Sequence, residues 1–358
     1  MTFSKPLTLG LLASFLFLLA SSELACRWAA QSGFWYRHFD FTGDLTSLPE
    51  VRDRLHSASR ESRSLFLLGD SVLGPTALQE HRVPAAREKS LAFCLEKLAP
   101  SQGDFVLSLG ADGMLLPDME ALALEIQSVP APKRVVLILN FRMFAPQFDQ
   151  GPEGLSRAFF KPDLPPETTA LLKEPSAPSA DPSLLNTRVD EAVVQHWFLF
   201  RTSQLLRTLW YFPSQKDVFQ SRLENWFGEQ EDPDLKEAAL KLKISSFYGA
   251  NRWNPDTLPF QALDRLLDEL KRRGIPTLVV LTPQNLDFLR GTLDLPSFGK
   301  NREFLAAFMK KRLGPLLKYA DWSDRYPTDF FLDHCHLTPD GNRRLAADLI
   351  QALPKDPS

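Results

Sequence analysis

The sequence is poor in cysteine, carries almost no net charge and shows no internal repeat. Its cysteines, Cys26, Cys94 and Cys335, are odd in number and irregularly spaced, which supports neither a disulfide framework nor the paired ligands of a structural zinc site. They read as buried or idle thiols. With 41 lysines and arginines against 44 acidic residues the formal charge is −3, so the chain lacks the basic footprint a polyanion requires, and no nucleic-acid partner is expected. Long apolar runs are scarce as well. Beyond the N-terminus, residues 189–211 suggest a helix with a broad apolar face, and Arg201 and Arg207 in it argue against a membrane span there.

What is present begins at the N-terminus. Lys5 precedes an apolar run over residues 7–19, LTLGLLASFLFLL, and the small residues Ala20, Ser21 and Ser22 follow, which is the order of a secretory signal. Residues 1–25 are therefore expected to be a signal peptide or, since the stretch continued to Ala25 nears the ~20 residues a bilayer requires, a retained membrane anchor. Glu23 stands three residues before Cys26, where a lipoprotein signal wants an aliphatic residue, so lipidation is not expected. Trp28, Phe34, Trp35 and Tyr36, with Arg27 and Arg37 among them, suit a membrane interface or the start of a folded domain. Either reading places the protein outside the cytoplasm, in the periplasm or at the cell surface, anchored or secreted.

Residues 26–62 read as a linker leading into a domain over 63–354. There, continuously apolar runs at 64–68 (SLFLL), 105–109 (FVLSL), 135–139 (VVLIL) and 277–281 (TLVVL), with a weaker fifth at 319–322, have the composition of strands covered on both faces. Stretches with helical spacing lie among them at 85–98, 119–127, 259–273 and 341–353. The alternation predicts an α/β fold, a parallel sheet with crossover helices. Proline, 28 residues in all, clusters between Pro146 and Pro182. Residues 145–254 break the alternation over far more than an ordinary connection, so an insertion with structure of its own is expected, including a helix over 189–211.

The first apolar run ends in Gly69-Asp70-Ser71, which puts Ser71 at the carboxyl edge of the expected sheet, where open α/β proteins collect their sites. Near the other end, Asp333-His334-Cys335-His336-Leu337-Thr338-Pro339 stands just before the last helix. A serine hydroxyl becomes a nucleophile when a base takes its proton, and the imidazole that does so needs an acceptor to fix its tautomer. Asp333 and His336 supply both roles from one loop. Donor types for a metal are present in Asp333, His334, Cys335 and His336, yet adjacent residues point different ways and no second ligand cluster exists, so neither a metal nor an organic cofactor is expected.

Gly69-Asp70-Ser71 after the first strand, with Asp333-x-x-His336-Leu337 before the last helix, resembles the SGNH or GDSL hydrolase superfamily, over nearly all of the chain after about residue 64. The resemblance implies a three-layer αβα fold about a five-stranded, flavodoxin-like parallel sheet, here with a largely helical insertion. It implies a catalytic triad of Ser71, His336 and Asp333, and an oxyanion hole made by the Ser71 backbone amide, Gly110 after the second strand and Asn140 after the third. The third block departs from the family pattern, with Ile138 where a glycine is usual and Phe141 in place of a common aspartate. The order of N-terminal apolar segment, early nucleophile, long insertion and late Asp/His pair is similar to membrane-anchored envelope members that handle acyl groups on glycan hydroxyls. That implies an acyl-ester or glycan substrate and a membrane-bound O-acyltransferase as partner. A secreted lipase or carboxylesterase, and a catalytically inactive scaffold in an acylation complex, are the alternative readings.

Overall fold

The computed structural model describes residues 5–31, 51–52, 54–55, 64–102, 105–110, 113–145, 253–290 and 292–354. The helix expected over 189–211, and nearly all of the expected insertion, lie outside the described residues. By its contacts the chain divides into one unit of residues 1–40 and 177–235 and another of residues 41–176 and 236–358.

In the first unit the described residues form one helix, α1 (Lys5–Gln31). Phe15, Leu16, Phe17, Leu18, Leu24 and Trp28 stand exposed on it, while Cys26 and Ala29 are buried. Among the described residues no helix is long and apolar enough to cross a membrane.

The second unit is built on a five-stranded sheet: β1 (Ser64–Gly69), β2 (Phe105–Gly110), β3 (Arg134–Leu139), β4 (Thr277–Leu281) and β5 (Leu317–Asp321). All neighbours run parallel in the order β2-β1-β3-β4-β5, the doubly wound order whose switch point falls between β1 and β3. Successive side chains of a strand face opposite ways, and the two faces fill separate apolar layers. On one face Leu65 and Leu67, Val136 and Ile138, and Leu278 and Val280 pack with α2 (Leu91–Leu98) and the last helix. On the other, Phe66 and Leu68, Val135 and Leu137, and Val279 and Leu281 pack with α3 (Leu116–Glu125), α4 (Leu258–Arg272) and α5 (Leu295–Lys310). Val51 and Leu55 are buried in this second layer. Helices thus cover both faces, which is why the strands read as unbroken apolar runs, each fully buried aliphatic side chain contributing roughly 1.5–3 kcal/mol. The last helix, α6 (Pro339–Ala352), starts where Thr338 Oγ1 accepts the Gly341 amide and Pro339 occupies the first helical turn.

Helix boundaries depart from expectation where caps decide them. Residues 85–98 do not form one helix: Ala85 has a left-handed φ of 52° and Ser90 is extended, its hydroxyl capping α2, so the helix begins at Leu91. α3 begins at Leu116, three residues before the first periodic position, because the Asp118 carboxylate accepts the Leu115 amide at 2.9 Å. α4 stops as expected at Gly274, whose φ of 68° lets the Ile275 amide reach back to the Leu270 carbonyl at 3.0 Å.

Candidate active site

β1 delivers Ser71 two residues past its end. Gly69 and Gly110 are register partners on the neighbouring strands, and Leu73 of the following turn sits over both. A Cβ on Gly110 would come within 2.8 Å of the Leu73 side chain and 3.0 Å of the Gly69 carbonyl, so this close approach requires glycine. Asp70 is fully buried; its Oδ1 accepts the Val72 amide at 3.2 Å, and its carbonyl accepts the Leu73 amide at 3.0 Å, closing the turn that carries Ser71. Its Oδ2 faces Arg142 Nη2 at 3.6 Å, an ion pair between the turn after β1 and the turn after β3.

The loop between β5 and α6 carries the other residues. Its neck is closed by a bridge between Phe331 and Leu337, by the Leu332 amide donating to the His336 carbonyl at 2.8 Å, and by the Thr338 amide donating to the Phe330 carbonyl at 2.9 Å. Within it Asp333 Oδ1 accepts two amides, from Cys335 at 2.9 Å and His336 at 2.8 Å. The carboxylate is thereby fixed by its own loop, and Oδ2 meets His336 Nδ1 at 2.7 Å. His336 Nε2 lies 2.9 Å from Ser71 Oγ, joining residues 265 positions apart. With the Nδ1 proton donated to Asp333, Nε2 is the acceptor for the serine hydroxyl, the polarity a general base needs.

The structure therefore brings Ser71, His336 and Asp333 into one hydrogen-bonded chain. Gly110 ends β2 at the same sheet edge. Asn140 directly follows β3 and is 2% exposed; its Oδ1 accepts the Arg142 amide at 3.3 Å, capping the turn Phe141–Phe144, while its Nδ2 donates to Cys335 Sγ at 3.6 Å. Phe141 is buried in the core and stacks on Phe298 at 4.1 Å between ring centroids.

Cys335 is buried, as its sequence reading as a buried or idle thiol expected, but its setting between two imidazoles is not visible in the sequence. It is free and buried, with His334 Nε2 at 3.4 Å and His336 Nδ1 at 3.8 Å from its sulfur. Burial alone would raise its thiol pKa, but the charges of His334 and His336 outweigh that and lower it below the ordinary thiol range. For His336 burial pulls down, and the Cys335 charge together with the Asp333 hydrogen bond and charge overcome it, so the imidazole titrates well above its ordinary value. Burial would raise the Asp333 carboxyl; the bond and charge of His336, the charge of His334 and the Cys335 amide hold it below the usual carboxylate range.

Asp333, His334 and Cys335 offer donor atoms within 4.8 Å of one another, the one grouping of metal-ligand types among the described residues. Both Asp333 oxygens are already committed to hydrogen bonds inside the loop. The arrangement as it stands can remove a proton from Ser71 and hold the resulting imidazolium against a carboxylate, which is the equipment for acyl transfer through serine. No protein-family model matches the chain, and no curated protein matches it.

Proposed function

We propose that the protein is an extracytoplasmic serine acyl hydrolase or acyltransferase of SGNH type, acting on acyl esters of cell-envelope polysaccharide through an acyl-enzyme on Ser71. The observation that carries the reading is the continuous chain Ser71 Oγ, His336 Nε2, His336 Nδ1, Asp333 Oδ2, with separations of 2.9 and 2.7 Å, at the carboxyl edge of a parallel sheet. His336 takes the serine proton as Oγ adds to the ester carbonyl, and Asp333 stabilises the imidazolium. The oxyanion is held by the amides of Ser71 and Gly110 and by Asn140 Nδ2, donors each worth about 2.7–4 kcal/mol in comparable sites. His336 then protonates the departing alkoxide, and water or a sugar hydroxyl, activated by the same imidazole, resolves the acyl-enzyme.

Exposed Phe15, Leu16, Phe17 and Leu18 on α1 support a membrane-targeting role for the N-terminal segment, with a membrane-bound O-acyltransferase as the partner that supplies or consumes acyl groups. Labelling with an organophosphonate serine probe tests the chemistry. The wild-type chain is expected to label, and Ser71→Ala and His336→Ala to abolish labelling. A folded wild type that does not react would sink the enzymatic reading in favour of a scaffold. Release of acetate from acetylated glycan faster than from simple esters separates the envelope reading from an ordinary carboxylesterase.

A further inference from the structure

We propose that Asn285 is the positioning residue that seats the Asp333–His336 loop on the sheet edge and so sets the distance from His336 to Ser71. This rests on the reading of Ser71 as nucleophile and His336 as base. Asn285 lies just beyond the end of β4 and is 5% exposed. Its backbone N–H donates to the His334 carbonyl at 2.9 Å, and its side-chain Nδ2 donates to the Asp333 carbonyl at 3.2 Å. Its Oδ1 accepts the Phe288 amide at 3.2 Å, capping the helical turn Leu286–Leu289. One buried residue therefore holds two consecutive carbonyls of the loop, and it is itself tethered on both sides. Immediately before it, the Gln284 amide donates to the Ser323 carbonyl at 2.9 Å.

The need for such a seat follows from how the loop is made. Asp333 Oδ1 takes the Cys335 and His336 amides, and the neck is closed by bonds among residues 330–338, so the geometry of Asp333 relative to His336 is set by the loop's own bonds. Nothing in those bonds fixes the pair relative to Ser71, which arrives on β1. Asn285 supplies that reference, because β4 pairs with β3 and β3 with β1 in continuous register. Asn140 also reaches the loop from the sheet side, through Cys335 Sγ at 3.6 Å, a weak acceptor; the Thr328 hydroxyl donates to Asp287 at 2.7 Å, and Phe331 and Leu337 at the neck pack among strand side chains. Losing the Asn285 amide therefore shifts the loop as a body and lengthens the Ser71–His336 contact, while the Asp333–His336 bond persists.

Asn285→Ser separates this role from the cap. A serine hydroxyl still accepts at a helix N-cap but is too short to donate to the Asp333 carbonyl. With p-nitrophenyl acetate the expected result for Asn285→Ser is unchanged KM and a kcat lowered about 10- to 100-fold, the loss typical of a displacement near 1 Å. The organophosphonate probe should react more slowly by the same factor. The acid limb of the pH profile should stay where the wild type has it, because Asp333 still holds His336. Asn285→Ala should lose the same activity and also melt earlier. A crystal structure of Asn285→Ser reads the positions without turnover, with a longer Ser71–His336 separation and an intact Asp333–His336 bond expected. Wild-type kcat and geometry in Asn285→Ser would overturn the proposal, as would a fall in kcat with a displaced acid limb, which would put the effect inside the Asp–His pair. A wild type inert to probe and ester refutes the enzymatic reading instead, and the crystallographic distances still decide the positioning claim.

Discussion

The turn that carries Ser71 and the loop that carries Asp333 and His336 meet at one point but are made differently. The Ser71 turn is shaped by volume: Leu73 fits over Gly69 and Gly110 with no room for a Cβ, and Asp70 is sealed beneath it. The Asp333 loop is shaped by hydrogen bonds and charge, three of them on one carboxylate. A close-packed turn holds a side chain still and leaves its proton to others, whereas a polar loop fixes a tautomer and tunes a pKa. The first should be sensitive to added atoms, the second to removed charge.

Breaking the loop gives the larger effect. Asp333→Asn leaves the shape but removes the acceptor for Nδ1–H, and the rate of probe labelling should fall about 10⁴-fold, as when a triad aspartate is amidated. Since the Asp333 bond and charge raise the His336 pKa, and only neutral His336 is a base, the residual rate should reach its plateau at lower pH than in the wild type. Breaking the turn is a matter of packing. Gly110→Ala pushes a methyl group into Leu73 and should destabilise the domain by about 1–3 kcal/mol, the usual penalty for overpacking, read as a lower denaturation midpoint together with slower labelling. The smallest effect sharpens the contrast. Cys335→Ala removes the charge that most strongly raises the His336 pKa, so the acid limb should move to lower pH while the high-pH rate stays close to wild type. A limb that did not move would remove Cys335 from the electrostatics of the base.

The three inner strands β1, β3 and β4 are readable because strands buried on both faces are apolar throughout, and of the two edge strands β2 keeps four of its six residues buried while β5 buries only Leu317 and so has the weaker pattern. Ala85 and Ser90 end a helix that periodicity alone would extend, since a left-handed φ and a cap leave no trace in apolar spacing. α5 is not announced by the apolar spacing, because its first turns, LPSFGKN, carry no clean stripe. Ser71, Asp333 and His336 were legible because their spacing is tied to strand and helix ends. The contacts of Asn285 with Asp333 and of Cys335 with Asn140 were not, because each joins residues far apart along the chain, 48 positions in the first case and 195 in the second. Nothing local in either stretch announces that meeting.

The 265 residues between Ser71 and His336 also set a clock. At about 5–20 residues per second of synthesis, the serine exists for some tens of seconds before its base has been made. β1, β2 and β3 can pair during that interval, but the hydroxyl on their edge remains an ordinary alcohol, harmless to every ester it passes in the ribosome's neighbourhood. On the proposed reading, reactivity requires the Asp333 loop, which carries both the base and its acceptor. On that reading a product truncated before residue 333 carries Ser71 without its base, so labelling of the serine would report that residues 333–336 had been translated and folded against it.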